Sequence, residues 1–376
     1  MSVFKVFRFI RDSWLIAGIT LLLMLLIEAG FTIYYSFRHD QDSRVMADCY
    51  SRAAWVGKYF EEFSECSREQ WKPYIYWRRQ PFSGELINVG SDGLRKTIYP
   101  EPGNKDEKAG LKIFIFGGSA LWGTGARDEF TIPSLVGSCL QSSGIFAEVV
   151  NFGESGYVST QEWIGLMLEI QKGNVPDVVV FYDGVNDVFS AYQRGEAGIP
   201  QNEKNREKEF NALKSRKKAL RVLAESFSTL STIRFIRELT VNKAMPVSYT
   251  PESMERMITN AIHVYKENIH AISRLGAENG FRALFYWQPS IFGKENLTAY
   301  EKQEAEKLGY LKEVLEIASR KVDSCQPQLY PVIHNLSNFF QNEKKPIFID
   351  YCHVGEYGNS VIAMQIAGDI VETIKK

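Results

Sequence analysis

Between Ser13 and Phe37 the chain carries a single charged residue, Glu28, and the centre of this run reads Leu21-Leu22-Leu23-Met24-Leu25-Leu26-Ile27. About 20 mainly apolar residues let a helix cross the hydrocarbon of a bilayer, where only a helix satisfies its own backbone N–H and C=O groups. Lys5, Arg8 and Arg11 precede the run, whereas Arg38, Asp40, Asp42 and Arg44 behind it balance one another. Positive flanks stay cytoplasmic. The pattern therefore predicts a single-pass anchor with a cytoplasmic N-terminus and everything beyond Phe37 exported, periplasmic or extracellular. A cleaved signal peptide is the rival reading, but the run is long for an h-region and no clear A-x-A site follows. Glu28 lies toward the outer end, where it is expected to snorkel rather than pair helices.

Beyond the anchor the 376 residues are compositionally ordinary, which excludes a disordered, collagen-like or disulfide-dense chain. Forty-four Lys and Arg against 45 Asp and Glu give a net charge of −1, so no global field attracts nucleic acid, and no nucleic-acid partner is expected. The five cysteines (49, 66, 139, 325 and 352) show no C-x-x-C spacing, and no metal site is expected from them. Cys49 and Cys66 share the first exported segment and are the candidates for a disulfide.

Residues 38–108 read as an exported extension rich in aromatics (Trp71, Tyr74, Tyr76, Trp77), with Arg78 and Arg79 alongside. The segment closes in the turn-rich linker Pro100-Glu101-Pro102-Gly103-Asn104-Lys105-Asp106. From 109 to 376 short apolar runs alternate with helical periodicity. Strands are expected at Leu111–Phe116, Ala147–Phe152, Val178–Tyr182 and Ala283–Trp287, with a last short run at Ile347–Ile349. Between them fall a helix from Ile132 to about Gly144, one opened by a capping box at Ser159–Glu162, and a long one started by Thr250-Pro251. Further helices are expected at Tyr300–Lys321 and Asn359–Ile374. Strands separated by helices imply βαβ units, a central parallel sheet and a three-layer α/β/α sandwich. The pattern lapses at about 194–250, where Gln201–Val222 holds eight Lys/Arg against three Glu. This is expected to be a solvated helical insertion, the sharper alternative being a cap that draws in anionic polymer or lipid headgroups.

In open parallel sheets ligands bind outside the carboxyl ends of the strands. The segments there read Gly117-Gly118-Ser119, Asn151-Phe152-Gly153, Asp183-Gly184-Val185-Asn186-Asp187, Gln288-Pro289-Ser290 and Asp350-Tyr351-Cys352-His353. Together they supply a hydroxyl, amide donors, a carboxylate and an imidazole on one edge, which are the parts of acyl transfer. Ser119 is the candidate nucleophile, His353 the base, and Asp350 the group that orients it. The N–H groups of Ser119 and Gly153 and the Asn186 amide are candidate oxyanion donors. Singly, each has a plainer reading: a helix cap for Ser119, a turn for Gly153, an Asx turn for Asn186, a structural histidine for His353.

These blocks, in this order, resemble the SGNH (GDSL-like) hydrolases: Phe116-Gly117-Gly118-Ser119, Asn151-Phe152-Gly153, Gly184-Val185-Asn186-Asp187 and Asp350-Tyr351-Cys352-His353. The likeness runs from about Leu111 to the C-terminus, outside the insertion. Gly118 departs from it, standing where the Gly-Asp-Ser form has Asp. The stretch Trp71–Thr97 is similar to the extension of membrane-anchored members. The resemblance implies a flavodoxin-like fold and a serine esterase with no cofactor. Its substrate would be an acylated carbohydrate or another small ester; O-acetyl groups on an envelope or extracellular glycan are the analogy. An O-acyltransferase modifying a surface polysaccharide and a non-catalytic anchored scaffold are the alternatives.

Overall fold

The computed structural model describes residues 3–37, 42–51, 53–99, 110–213, 230–240, 249–324 and 332–375. The whole 100–108 linker, Cys325 and the basic residues from Lys214 to Arg221 lie outside these. The chain forms two compact units, residues 1–41 with 202–248, and 42–201 with 249–376.

In the first unit the apolar run forms one 35-residue helix, Val3–Phe37, with a span of Phe7–Ser36 long and apolar enough to cross a membrane. The insertion contributes helices Glu203–Leu213 and Ser231–Thr240. Glu28 does not snorkel alone. Its carboxylate accepts from Ser231 N (2.6 Å), Thr232 N (3.0 Å) and Thr232 Oγ1 (2.8 Å). The expectation that Glu28 joins no helices is thus overturned, for a physical reason: a helix start exposes N–H donors without intrahelical acceptors, and a carboxylate on an apolar face needs donors. Phe31 and Phe235 complete the contact, with ring centroids 4.4 Å apart.

The second unit is built on a five-stranded parallel sheet of β1 (Leu111–Gly117), β2 (Ala147–Asn151), β3 (Val178–Asp183), β4 (Arg282–Trp287) and β5 (Ile333–Asn335), in the order β2-β1-β3-β4-β5. This is the flavodoxin-like order, whose switch point lies between β1 and β3. The period of two divides the sheet's side chains between layers. Phe114, Phe116, Val179, Phe181 and Phe285 enter the cluster with helices Val185–Arg194, Pro251–Asn279 and Tyr310–Asp323. Ile113, Ile115, Val178, Val180 and Tyr286 enter the one with helices Ile132–Ser142 and Glu356–Lys375. Phe116 stacks on Phe181, and Phe181 on Phe285, at 5.3 and 5.5 Å, so neighbouring strands are keyed in register.

Three local expectations are corrected. The fifth strand is Ile333–Asn335; Ile347–Ile349 is no strand, only Phe348 bridging back to Val354, and it is apolar because it lies buried. Ser159 does not cap its helix, because its hydroxyl donates to Asp187 (2.6 Å). Val158 takes the cap position and Gln161 accepts from its N–H (3.4 Å). The expected Tyr300–Lys321 helix is two, Ala299–Lys307 and Tyr310–Asp323, the first opened by a capping box of Thr298 and Glu301.

The 42–99 segment belongs to the same unit. Tyr50, Val56, Tyr59, Phe60, Ile87 and Val89 form a cluster closed by Trp122 and Ile349, residues just beyond Ser119 and just before Asp350. Cys49 and Cys66 are free thiols.

Candidate active site

β1 ends at Gly117, and the chain turns through Gly118 into the four-residue helix Ser119–Trp122, which places Ser119 at the switch point. The Phe348–Val354 bridge closes a tight loop that carries Asp350 and His353 to the same place. Inside it, Asp350 Oδ1 accepts from the N–H groups of Cys352 (3.0 Å) and His353 (2.9 Å). His353 Nδ1 then lies 2.7 Å from Asp350 Oδ2, and His353 Nε2 lies 2.7 Å from Ser119 Oγ. The structure thus brings a hydroxyl, an imidazole and a carboxylate into one hydrogen-bonded line from positions 234 residues apart.

The electrostatics follow from that line. Burial by itself would raise the Asp350 pKa, but the His353 charge and the donated hydrogen bonds outweigh it and hold the carboxyl down, at about 2. Burial by itself would lower the His353 pKa, but the Asp350 charge opposes this and the net direction is up.

Arg44 is a neighbour that no motif signalled. Its guanidinium pairs with Asp42 (2.6 Å), stands 3.6 Å from Asp350 Oδ2, and packs over the rings of Phe60 and Phe63. It withdraws part of the carboxylate's field from the imidazole. In the sequence it stands only as one of four charges, two of each sign, behind the apolar run. Asp350, Cys352 and His353 could each offer a ligand atom to a metal, all within 4.8 Å of one another. A cation there would face Arg44 and compete with the N–H donors already on Asp350, so the donor set suits imidazole better than metal.

The oxyanion candidates are arranged unequally. Ser119 opens its helix, so its N–H has no intrahelical acceptor. Asn186 Nδ2 donates one hydrogen to Tyr157 O (2.9 Å), which fixes the amide plane and leaves the second hydrogen for the site. The Gly153 N–H is turned to Asn151 Oδ1 (2.9 Å), and a Cβ at 153 would lie 2.5 Å from Trp122 N. Arg78 and Arg79, which lie beside the aromatics of the extension, are buried supports of this loop. Arg78 donates to Phe152 O (2.9 Å), and Arg79 to Ser155 Oγ (2.8 Å) and Cys66 O (3.0 Å).

Gly118 has a steric explanation. A Cβ there would lie 2.4 Å from Asn186 Nδ2, so the bare backbone is what lets the amide close on the Ser119 turn. Gly118→Ala is expected to cost about 10- to 100-fold in kcat by displacing one donor. Combined with Asn186→Ala it should add little, because both remove the same group. Steady-state kinetics of the two single variants and the double variant check this.

No protein-family model matches the chain, and no curated protein matches it in sequence. Among solved structures, the acetyl xylan esterase AlAXEase is similar at 15% identity and a TM-score of 0.37, over 69% of this chain and all of that one. The acetylxylan esterase Axe2 from Geobacillus stearothermophilus is similar at 14% and 0.34, over 70% and 94%. A G-D-S-L family protein from Desulfitobacterium hafniense DCB-2 is similar at 11% and 0.35, over 68% and 98%. Likeness this distant assigns neither substrate nor residue roles.

Proposed function

We propose that the chain is a serine esterase of the SGNH type, anchored by its N-terminal helix with the 42–376 region exported. The observation that carries this is the Ser119–His353–Asp350 line at the sheet's switch point, with amide donors beside the hydroxyl. Ser119 Oγ attacks the ester carbonyl carbon while His353 Nε2 takes its proton. The carbonyl oxygen becomes an oxyanion held by the Ser119 N–H and Asn186 Nδ2, with the Gly153 N–H shared between it and Asn151. Collapse breaks the bond to the alkoxide, which leaves with the proton from His353. Water then repeats the sequence on the acyl-serine, giving the acid and restoring the hydroxyl. Asp350 stays ionised and holds the imidazole tautomer.

The substrate class we favour is O-acetyl groups on an envelope or extracellular glycan. The exported orientation read from Lys5, Arg8 and Arg11 supports it, as do Trp71 and Tyr74, exposed on the Glu69–Lys72/Tyr76–Arg79 hairpin. That hairpin reaches the Gly153 loop through the Trp77 Nε1 bond to Ser155 O (3.1 Å). Acetate release from acetylated xylan, measured with p-nitrophenyl acetate as the reference, tests it. Release from p-nitrophenyl acetate alone would retain the esterase and discard the glycan. Acetyl groups appearing on added glycan instead of in water would mark a transferase.

The pH profile carries the electrostatics. The base must be neutral to accept the Ser119 proton, and Asp350 raises the His353 pKa. The acid limb of kcat/KM is therefore expected above the free-imidazole value of about 6.5. Arg44→Met removes the charge that competes for Asp350, so that limb should move further to alkaline pH. A limb at or below the free-imidazole value would contradict the assignment.

A further inference from the structure

Glu28 sits within a run of 25 residues, Ser13–Phe37, that spans roughly 37 Å as a helix. Leu25 is its midpoint. Glu28 is then about 4–5 Å outward of the middle of the bilayer and about 13 Å below the level of Phe37, too deep for its short side chain to reach water. Yet its carboxylate holds the first two backbone N–H groups of Ser231–Thr240, a helix of ten residues and so about 15 Å long.

The further contacts give that helix a direction. Ser231 Oγ lies 3.0 Å from Thr32 Oγ1, Phe235 packs against Phe31 and Tyr34, and the Arg234 guanidinium lies 4.0 Å over the Tyr35 ring. The two helices run the same way, so one that starts beside Glu28 ends near the level of Phe37. Its length matches one leaflet. The arrangement settles two costs together: a carboxylate in hydrocarbon needs donors, and a helix start in hydrocarbon needs acceptors. Arg234, part-way up, can extend toward the headgroups.

We propose that Ser231–Thr240 is a half-membrane helix of the outer leaflet, seated on the anchor by Glu28, and that its outward face, where Ile236 is 46% exposed, contacts lipid acyl chains together with Leu230 just ahead of it, 37% exposed. This rests on the anchoring reading above and replaces, for this part of the insertion, a solvated face with a lipid-facing one.

The test uses the full chain in phosphatidylcholine vesicles, with a photo-reactive benzophenone side chain at position 236 and lipid adducts read by mass spectrometry. Adducts are expected in the parent, with at least a fivefold loss in Glu28→Leu, which leaves the helix start without acceptors but makes the anchor more apolar. Glu28→Gln, which keeps one acceptor, should fall between. Thr32→Cys with Ser231→Cys should cross-link under oxidation. Adduct yield unchanged by Glu28→Leu, or no cross-link, overturns the proposal. So does an absence of adducts from a chain that resists alkaline extraction, and in that case the anchor stands. Release of the parent by alkaline carbonate overturns anchor and leaflet helix together. Ester turnover by Glu28→Leu should match the parent, since the second unit is untouched.

Discussion

Replacing His353 by alanine is expected to lower kcat for p-nitrophenyl acetate by about 10⁴-fold or more. Without the imidazole the Ser119 hydroxyl has no acceptor for its proton in the line described above. The fold should survive, because the loop is held by main-chain bonds that do not need the ring. Ile349 N donates to His353 O (2.9 Å), and Asp350 Oδ1 accepts two backbone N–H groups. Asp350→Asn keeps the shape of that loop but presents an amide to His353 Nδ1, so a loss of similar order is expected through the wrong tautomer. The double variant should be little worse than either single one, since residues that act as a unit are not additive. Steady-state kinetics together with a thermal melt separate this from unfolding. Retention of more than a tenth of the parent's kcat by His353→Ala would remove the imidazole from the mechanism.

The second large effect falls on stability. Arg95 is buried and pairs with buried Asp128 at 2.8 Å. Its remaining donors go to the carbonyls of Gly123 (2.7 Å), Ala126 (2.7 Å) and Trp122 (3.3 Å), with the guanidinium 4.4 Å over the Trp122 ring. Arg95→Ala leaves the Asp128 charge with only the Asn88 amide (3.0 Å) as partner and takes a donor from each carbonyl of the turn that follows Ser119. The expected cost is about 3–5 kcal/mol. Arg95→Ala with Asp128→Ala together should cost less than the sum of the singles, because no lone charge remains. Denaturant unfolding of the three variants measures this. A loss below about 1 kcal/mol in Arg95→Ala would mean that the pair contributes little.

The parallel sheet was legible in the sequence because its longer strands are largely apolar runs, such as Val178–Tyr182, cut off by glycine or polar residues at the carboxyl end. The same cut marked Ser119 and Asn186, since a strand that stops on small or polar residues has few structural reasons to do so. Ile333–Asn335 was not legible. An edge strand of three residues containing His334 and Asn335 carries no periodicity, while buried Ile347–Ile349 imitated a strand. Arg78 and Arg95 were opaque for another reason. A buried guanidinium is specified by carbonyls and carboxylates distant in sequence, here Phe152 and Asp128, and nothing local announces it. Glu28 could be flagged as anomalous within the run, but its partners are 203 and 204 residues away. A long-range cap has no sequence signature.

The central claim is that Ser119 is an activated nucleophile. A fluorophosphonate probe reacts with a serine hydroxyl whose proton can be taken and whose tetrahedral adduct finds amide donors. The full chain is expected to take up one probe, on Ser119. Labelling should vanish in Ser119→Ala, slow sharply in His353→Ala, and fall when acetylated xylan competes. A folded chain that takes up no probe, or takes it up on another residue with Ser119→Ala unchanged, would contradict the account.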